Sequence, residues 1–266
     1  MLKRSIKRIL KLFDLSVASY RELEAYRADR DRLRSYYHAW SSLGILQSLN
    51  PEQAVKLMKW VSKSRSQFAQ DLYALSMTNF KRGGYFVEFG AANGVDNSNT
   101  YLLEKEFGWQ GILAEPARSF QTSIRKNRSA NLEPCCVWRE SGSQVTFNES
   151  DITELSTIAE FSGSDCHQEK RKNGSIYQVG TISLNDLLDK YEAPKEIDYI
   201  SMDTEGSEFE ILNAFDFSRY SARVITCEHN FTSNREKIFE LLTRHGYERR
   251  LADFSQSDDW YVKKTG

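Results

Sequence analysis

From residue 85 to the end of the chain, short apolar segments alternate with segments of helical spacing, and this alternation most constrains the fold. The strand-like segments include YFVEFG, QGILAEP, IDYISMD and RVITCEHN, and each is followed by a helix-like one such as NTYLLEKEF. Strands that alternate with helices predict a parallel sheet covered by helices on both faces. The last segment, YERRLADFSQSDDWYVKK, predicts two strands joined by a polar turn, and therefore a closing antiparallel hairpin.

Residues 1–80 have helical spacing instead, which predicts a helical extension over 1–65 ahead of one α/β domain over 66–266. Near the start, LKRSIKRILKLFDL interleaves apolar and basic side chains. Two interpretations are open for it: a surface helix that contacts anionic lipid, or an amphipathic helix packed on its own domain or on a partner. Asn50, Pro51 and Gln53 predict the start of a helix running to about Lys63, and a second helix is expected around residues 67–80.

The bulk composition narrows the class of protein. Among 266 residues, 36 are basic and 37 acidic, so the formal net charge of −1 predicts no nucleic-acid partner. Cys135, Cys136, Cys166 and Cys227 form no CxxC pair, which predicts a reducing, cytoplasmic compartment without structural zinc. No apolar run reaches the roughly 18 residues of a membrane span. Peripheral membrane contact through the basic first segment stays open.

Polar side chains follow several of the predicted strands at the point where each strand ends. In doubly wound sheets, ligands lie beyond the carboxyl ends of the parallel strands, so these groups are expected to share one site. They are Glu88, Gly90, Ala91 and Gly94 after the first strand, Glu115 after the second, Asp203 and Glu205 after the strand near residue 200, and Glu228, His229 and Asn230 after the last parallel strand. The polar segment 148–180 predicts a long loop with a functional role.

The glycine spacing bears on the kind of ligand. A dinucleotide fingerprint needs GxGxxG, whereas this chain has GAANG, which is GxxxG. An acid before the glycines, Glu88, would repel a pyrophosphate but would suit a cationic ligand. S-adenosylmethionine carries a sulfonium and an ammonium and no phosphate. Glu115 would then accept hydrogen bonds from two ribose hydroxyls.

Three long segments resemble the FkbM family of S-adenosylmethionine-dependent methyltransferases. They are GGYFVEFGAANGVDNSNTYLLEKEFGWQGILAEP, IDYISMDTEGSEFEIL and EHNFTSNREKIFELLTRHGY. The resemblance covers roughly residues 66–266. It implies a class I Rossmann-like fold, with a mostly parallel seven-stranded sheet and a C-terminal antiparallel hairpin, and it implies O-methylation, commonly of sugars or other natural-product hydroxyls.

The resemblance also implies roles for individual residues. Glu88, Gly90, Ala91 and Gly94 match the cofactor loop, with Asn97 and Ser98 as candidates for lining the methionine end, and Glu115 followed by Pro116 matches the ribose-binding acid. Asp203, Glu205, Gly206 and Glu208 match the D-x-E-G-x-E signature. Asn93 departs from the pattern, which more often has Asp.

O-methyl transfer from a hydroxyl needs a base or a metal. The candidate catalytic residues are His229, Asp203 and Glu205, with His229 favoured by an ordinary pKa near neutrality. A structural His at a strand end is the alternative. Asp203, Glu228 and Asn230 end two adjacent strands and form a candidate Mg²⁺ site, because that cation prefers oxygen ligands.

The sequence therefore predicts an S-adenosylmethionine-dependent O-methyltransferase acting on a sugar or glycan. Three alternatives stay open: a small natural product as acceptor, a cofactor-binding scaffold of the same fold without catalysis, and an NAD-dependent enzyme of a related fold, against which the missing GxGxxG counts.

Overall fold

The computed structural model describes residues 17–152, 155–163 and 168–264. Within these ranges the strands, in chain order, are β1 (Tyr85–Phe89), β2 (Gln110–Ala114), β3 (Asn131–Glu133), β4 (Cys136–Trp138), β5 (Gln144–Glu149), β6 (Thr157–Ile158), β7 (Ser175–Ser183), β8 (Glu196–Met202), β9 (Ser221–Glu228), β10 (Tyr247–Arg250) and β11 (Asp258–Lys263). The helices are α1 (Val17–Ser48), α2 (Pro51–Met58), α3 (Gln70–Met77), α4 (Tyr101–Phe107), α5 (Arg118–Asn127), α6 (Leu184–Lys190), α7 (Glu208–Asn213) and α8 (Asn234–Arg244). Short 3₁₀ helices lie at Val61–Lys63, Ala159–Phe161 and Gln168–Arg171.

Seven strands form the main sheet in the order β10-β11-β9-β8-β1-β2-β3. The five strands from β9 to β3 pair in parallel, and β11 runs antiparallel to both β9 and β10. The predicted Rossmann-like α/β fold, with its mostly parallel seven-stranded sheet and closing antiparallel hairpin, is confirmed.

Side chains alternate between the two faces of the sheet, as a strand requires. On β1, Val87 and Phe89 belong to a core cluster covered by α6, α7 and α8, whereas Phe86 faces a second cluster. That second cluster contains Ile45 of α1 and Leu57 of α2. The helical extension thus packs on the sheet domain, while the predicted boundary between residues 65 and 66 stays a prediction.

Three helix ends differ from the predicted ones for local reasons. Asn50 Oδ1 accepts the Gln53 N–H at 2.9 Å, which confirms the predicted cap, but α2 stops at Met58 and a 3₁₀ turn follows. The next helix, α3, starts later than expected because Ala69 has a left-handed φ of 61°. It ends before Phe80, whose φ of 58° is also left-handed and incompatible with a continuing helix.

The first sixteen residues lie outside the described part of the chain, so the two interpretations of the basic segment stay predictions. In the part that is described, no helix combines the length and the apolar character needed to cross a membrane. Cys135, Cys136 and Cys227 are free thiols, while Cys166 also lies outside the described residues.

A second, four-stranded sheet was not predicted. Its order is β4-β7-β5-β6, with β7 parallel to β4 and antiparallel to β5. Its own apolar cluster contains Cys136, Trp138, Phe147 and Ile158. The expected long loop over 148–180 is therefore wrong in part, because its last residues belong to β7, which pairs with β5 over six residue pairs.

Candidate active site

The carboxyl ends of β1, β2, β8 and β9 open into one cavity of about 600 Å³. Eight of the predicted site residues line it: Gly90, Asn97, Glu115, Pro116, Asp203, Glu205, Glu228 and Asn230. Five others do not belong to its lining: Glu88, Ala91, Gly94, Ser98 and His229. The rule that ligand groups gather beyond the strand ends therefore located the cavity, but it did not separate the residues that face it from those that support it.

Glu88 does not line the cavity. Its carboxylate is 2% exposed and accepts hydrogen bonds from Ser98 Oγ at 3.0 Å, from the Asn99 N–H at 2.6 Å and from Thr100 Oγ1. The guanidinium of Arg128 lies 3.7 Å from it. Burial raises the pKa of Glu88, and Arg128 opposes that rise. The predicted cationic partner of Glu88 is thus a side chain of the same protein.

Arg128 was missed by the sequence reasoning. Its side chain has no exposed surface, and it donates to Glu104 Oε2 at 2.8 Å, to Ser98 Oγ at 3.0 Å and to Thr100 Oγ1 at 2.8 Å. It therefore ties the loop after β1 to α4 and to the end of α5. It stands in the basic string IRKNR, where nothing in the local pattern distinguishes it from its solvated neighbours.

At both glycines of the loop, an added Cβ would meet other atoms of the protein. A Cβ on Gly90 would lie 2.0 Å from the backbone oxygen of Asp203, and one on Gly94 would lie 2.9 Å from Cγ of Arg128. Both have positive φ, 70° and 78°. Glycine is needed at both positions by conformation and by close approach.

Asn93, the departure from the family pattern, has a local explanation. Its Oδ1 accepts the N–H groups of Val95 and Asp96, at 2.9 and 2.8 Å, and its Nδ2 donates to the Asp96 carboxylate at 2.8 Å. An Asp at this position would keep the two accepted bonds but would place a second carboxylate against Asp96. Asn is the residue that satisfies both sides of this turn.

Glu115 has the position predicted for it, at the end of β2 and on the cavity wall. Its two oxygens accept the N–H groups of Ala92 and Ala117, at 2.8 and 2.9 Å, which fixes the carboxyl orientation. Burial is the main cause that raises the pKa of Glu115 to about 8, and the nearby Glu149 and Asp203 carboxylates add to it. Hydroxyl donors in the cavity would stabilise its charged form.

Three carboxylates come together in the cavity. Oxygens of Asp203, Glu205 and Glu228 lie within 4.8 Å of one another. Burial raises the pKa of Asp203 to about 7, and it raises the pKa of Glu228 well above the usual range, with Asp203 as the next cause. Because the two buried carboxyls are adjacent, a state with a proton on at least one of them is favoured near neutral pH.

Glu205 is held differently from its two neighbours. Arg171 Nη2 donates to its Oε2 at 2.6 Å, and both side chains are buried. Asn230 Nδ2 donates to the same oxygen at 3.2 Å. Asn230 thus presents a donor to the cluster, where the predicted metal site needs its amide oxygen. The carboxylates that remain for a cation are those of Asp203 and Glu228, and Glu228 Oε2 has no hydrogen-bond partner among the described residues.

His229 does not fit the predicted role of a base. Its Nδ1 accepts the Phe231 N–H at 3.0 Å, its Nε2 is directed to Asp259 at 3.8 Å, and the ring is buried away from the cavity. Burial lowers its pKa to about 4. The ring is therefore neutral and holds the backbone after β9, which is the structural alternative.

Asp258 and Gln70 also line the cavity and were not predicted. Gln70 Nε2 donates to Asp258 Oδ2 at 2.9 Å, and burial raises the pKa of Asp258 to about 8. Because β11 is antiparallel, its first residue lies at the edge where the parallel strands end. Asp258 could have been found from the sequence by including the first residue of the predicted antiparallel strand among the candidates. The second sheet supplies an apolar wall, with Val137, Phe147 and Ile158.

Comparison with known families identifies this arrangement. The methyltransferase FkbM domain matches residues 88–249, more than half of the chain. This chain belongs to the FkbM methyltransferase family. The predicted family is thereby confirmed, and with it a methyltransferase that uses S-adenosylmethionine. A comparison with curated proteins gave no match.

Solved structures similar to this FkbM-family chain include several methyltransferases. A precorrin-6y C5,15-methyltransferase from Geobacter metallireducens is 13% identical, with a TM-score of 0.40, over 72% of this chain and 86% of that one. A mutant of MtNAS is 12% identical, with a TM-score of 0.36, over 98% and 81%. A phosphoethanolamine N-methyltransferase 2 from Haemonchus contortus, in complex with S-adenosylhomocysteine, is 11% identical, with a TM-score of 0.36, over 86% and 60%.

Proposed function

We propose that this FkbM-family protein transfers a methyl group from S-adenosylmethionine to a hydroxyl of a sugar or glycan. The observation that carries the proposal is Asp203, a carboxyl in the cavity whose pKa is raised by burial to about 7. A base of that pKa can take a hydroxyl proton near neutral pH. His229, the base favoured by sequence, is replaced in this role by Asp203.

The cavity has complementary walls for the methyl donor. Glu115 would accept the ribose hydroxyls, and Pro116 with the apolar wall of the second sheet would cover the adenine. Asn97 and Asp203, which line the same cavity, would hold the methionine end. Bound S-adenosylmethionine supplies an electrophilic methyl group on a sulfonium, and much of the acceleration comes from alignment of that group with the acceptor oxygen.

The transfer balances with one proton acceptor. The acceptor oxygen forms a bond to the methyl carbon as the bond from that carbon to sulfur breaks, and the hydroxyl proton passes to Asp203. Glu205, which is paired with Arg171, adds to the causes that raise the pKa of Glu228, so Glu228 holds a proton where Asp203 can lose one. Asp203 can accept the hydroxyl proton only in its ionised form, and its pKa is about 7. Turnover should therefore rise as the pH increases through about 7.

Phe231 supports a sugar as acceptor. It directly follows the cavity residue Asn230, it is 74% exposed, and its backbone N–H is held by His229. Asn230 and Phe231 both have left-handed φ, 42° and 56°, a strained conformation that points to function. An exposed ring beside the cavity offers an apolar face for a sugar. Trp109, by contrast, is buried and donates to the Lys81 carbonyl, so it belongs to the core.

The donor site is tested by calorimetric titration with S-adenosylhomocysteine. Glu115→Gln should weaken binding about 10- to 100-fold, because a charge-assisted hydrogen bond is lost. Glu133→Gln is the matched control: Glu133 ends the adjacent strand, is paired with Lys190, and lies outside the cavity. Wild-type protein that takes up NAD but no S-adenosylhomocysteine would contradict the proposal.

The acceptor is tested by mass spectrometry of glycans incubated with methyl-labelled S-adenosylmethionine. Asp203→Asn should lower kcat by about 10²- to 10⁴-fold and remove the rise with pH. Phe231→Ala should raise KM for a glycan, and Phe231→Tyr should restore it. Label found only in small natural products would favour the first alternative acceptor. Cofactor binding without any labelled product would favour the non-catalytic scaffold.

A divalent cation is the second candidate for activating the hydroxyl. The unpartnered oxygen of Glu228 beside Asp203 favours it, since Mg²⁺ takes carboxylate ligands. Asp203 and Glu228 would hold the cation, which would polarise the acceptor oxygen. Loss of turnover in EDTA that Mg²⁺ restores would support this version. Turnover unchanged by EDTA, with the pH dependence described above, would support the carboxylate base alone.

A further inference from the structure

The segment between β5 and β7 supplies a buried arginine to the carboxyl end of the main sheet. Arg171 ends a 3₁₀ helix, and its side chain has no exposed surface. Its Nη2 donates to Glu205 Oε2 at 2.6 Å, and its Nε donates to the Leu155 carbonyl at 2.6 Å. One guanidinium can make both contacts because its donors form a rigid planar fork. Arg171 thus connects the loop after β8 to Leu155, which lines the cavity.

The backbone of Arg171 is held by the second sheet. Asn148 of β5 donates from Nδ2 to the Arg171 carbonyl at 3.0 Å, and the Gly174 N–H donates to the same carbonyl at 3.3 Å. A Cβ on Gly174 would lie 2.0 Å from Asn148 Oδ1, so this turn packs closely against β5. The arginine therefore extends from an anchored turn of the region that sequence reasoning expected to be a functional loop.

The loop that receives this contact has a strained backbone. Glu205 has a left-handed φ of 58°, a conformation that persists in a residue other than glycine only where its surroundings enforce it. Glu208 Oε1 accepts the Thr204 N–H at 2.8 Å, and Thr157 Oγ1 of β6 donates to the Glu205 carbonyl at 3.0 Å. Arg171 holds the side chain of the same residue. Helix α7 and the second sheet together therefore keep this loop in place.

Asp203, the proposed base, directly precedes this loop. Its carboxyl and that of Glu205 have oxygens within 4.8 Å of each other, so a displacement of Glu205 changes the charge beside the base. Burial raises the pKa of Asp203, and the charge of Arg171 opposes that rise. Among the described residues, the carboxyls that act on Asp203 are those of Glu88, Glu115, Glu205, Glu208, Glu228 and Asp258.

We propose that Arg171 is a positioning residue for the reaction: it holds Glu205 and the strained loop, and thereby presents Asp203 to the acceptor hydroxyl. The second sheet then contributes to proton transfer as well as to the cavity wall. The role in turnover rests on the proposed methyl transfer, whereas the effect of Arg171 on Asp203 does not.

The effect on Asp203 is measured without a methyl donor, by ¹³C NMR of protein labelled at the aspartate carboxyl carbon. The signal that is missing in Asp203→Asn identifies Asp203, and its titration midpoint should be about 7 in the wild type. Arg171→Met should raise this midpoint by about one pH unit, the lower end of the effect of a neighbouring cation. Arg171→Lys keeps the charge and should restore most of the shift. Lys172→Met is the matched control, because Lys172 is exposed and paired with Glu169.

Glu205→Gln gives the opposite change and serves also if Arg171→Met does not fold. It removes the acid and leaves the cation near Asp203, so the midpoint should fall by about one pH unit. An unchanged midpoint in Arg171→Met or in Glu205→Gln, or an equal shift in Lys172→Met, would overturn the proposal.

The contribution to the reaction is measured as a split between turnover and donor binding. In Arg171→Met, kcat should fall about 10- to 100-fold, since a displacement of about 1 Å can cost a hundredfold. The Kd of S-adenosylhomocysteine should change much less, because Glu115 is held by Ala92 and Ala117 instead. The pH of half-maximal turnover should rise with the NMR midpoint. Equal losses of kcat and donor affinity would make Arg171 only an anchor of the second sheet and would refute the positioning role.

Failure of this proposal and failure of the proposed function give different results. A wild type that transfers methyl groups, with an Arg171→Met variant of the same kcat and the same midpoint, would refute the positioning role and leave the function standing. A wild type that transfers no methyl group would refute the function and the role in turnover, while the NMR midpoints would still decide whether Arg171 acts on Asp203.

Discussion

Removal of the buried cation Arg128 should destabilise the fold strongly. The side chain is completely buried and donates to Glu104, Ser98 and Thr100, while also lying beside Glu88. In Arg128→Met these acceptors lose their donor, and Glu88 is left buried without a compensating charge. Breaking one partner of a buried pair typically costs about 3–5 kcal/mol of unfolding free energy. Urea denaturation followed by circular dichroism measures the loss.

A double-mutant cycle separates the charge from the packing. If Arg128 is the partner of Glu88, adding Glu88→Gln should recover about 1–3 kcal/mol relative to the sum of the single variants. The cycle is best run at about pH 8, because burial raises the pKa of Glu88. Lys63→Met is the control: its pair with Glu106 is half exposed and should be worth at most about 1 kcal/mol. Strictly additive losses would refute the pairing and restore a ligand as the partner of Glu88.

Three further predictions follow from individual contacts. Gly90→Ala should lower the free energy of unfolding by about 2–4 kcal/mol, because the added Cβ would lie 2.0 Å from a backbone oxygen. Gly83→Ala is the control: Gly83 has a φ of 64° and nothing within 4 Å, so its loss should be only about 1 kcal/mol. Equal losses in urea denaturation would contradict the role of close approach. The Asp258 carboxyl keeps a proton in the folded state up to about pH 8, whereas the unfolded chain releases it near pH 3.8. This group therefore makes the free energy of unfolding fall as pH rises between those values. Asp258→Asn should remove that contribution, and a series of denaturations with an unchanged dependence on pH would refute it. His229→Asn can still accept the Phe231 N–H, so kcat should stay within about threefold while stability drops by about 1 kcal/mol; a hundredfold loss of kcat would return His229 to the catalytic role.

The fold was predictable because its signals are local. The alternation of strand and helix, the cap at Asn50 and the final hairpin all depend on neighbours in the chain, and each is present in the structure. The second sheet was not predictable in the same way. Strand β7 pairs with β5, about thirty residues earlier, and its polar first half carries no strong alternation.

The site was predictable only to the level of strand ends. Glu115 and Asp203 face the cavity as expected, but Glu88 ends its strand equally well and is turned to Arg128. Which way a carboxylate turns depends on a cation forty residues away in the chain, and no spacing rule reports that. The pKa of His229 was misjudged for the same reason, since its burial is a tertiary property.

The cavity draws its walls from almost the whole length of the chain, from Leu33 on α1 to Asp258 at the start of β11. A ligand that fills it therefore binds only when the first described helix and the last strand are both in place. Binding of a ligand that spans the whole cavity is then linked to global folding, and such a ligand at a hundred times its Kd should stabilise the entire protein by about 2.7 kcal/mol. During synthesis the complete cavity does not exist until β11 has been made, so a ligand of that reach would stabilise the chain only after its last strand has formed.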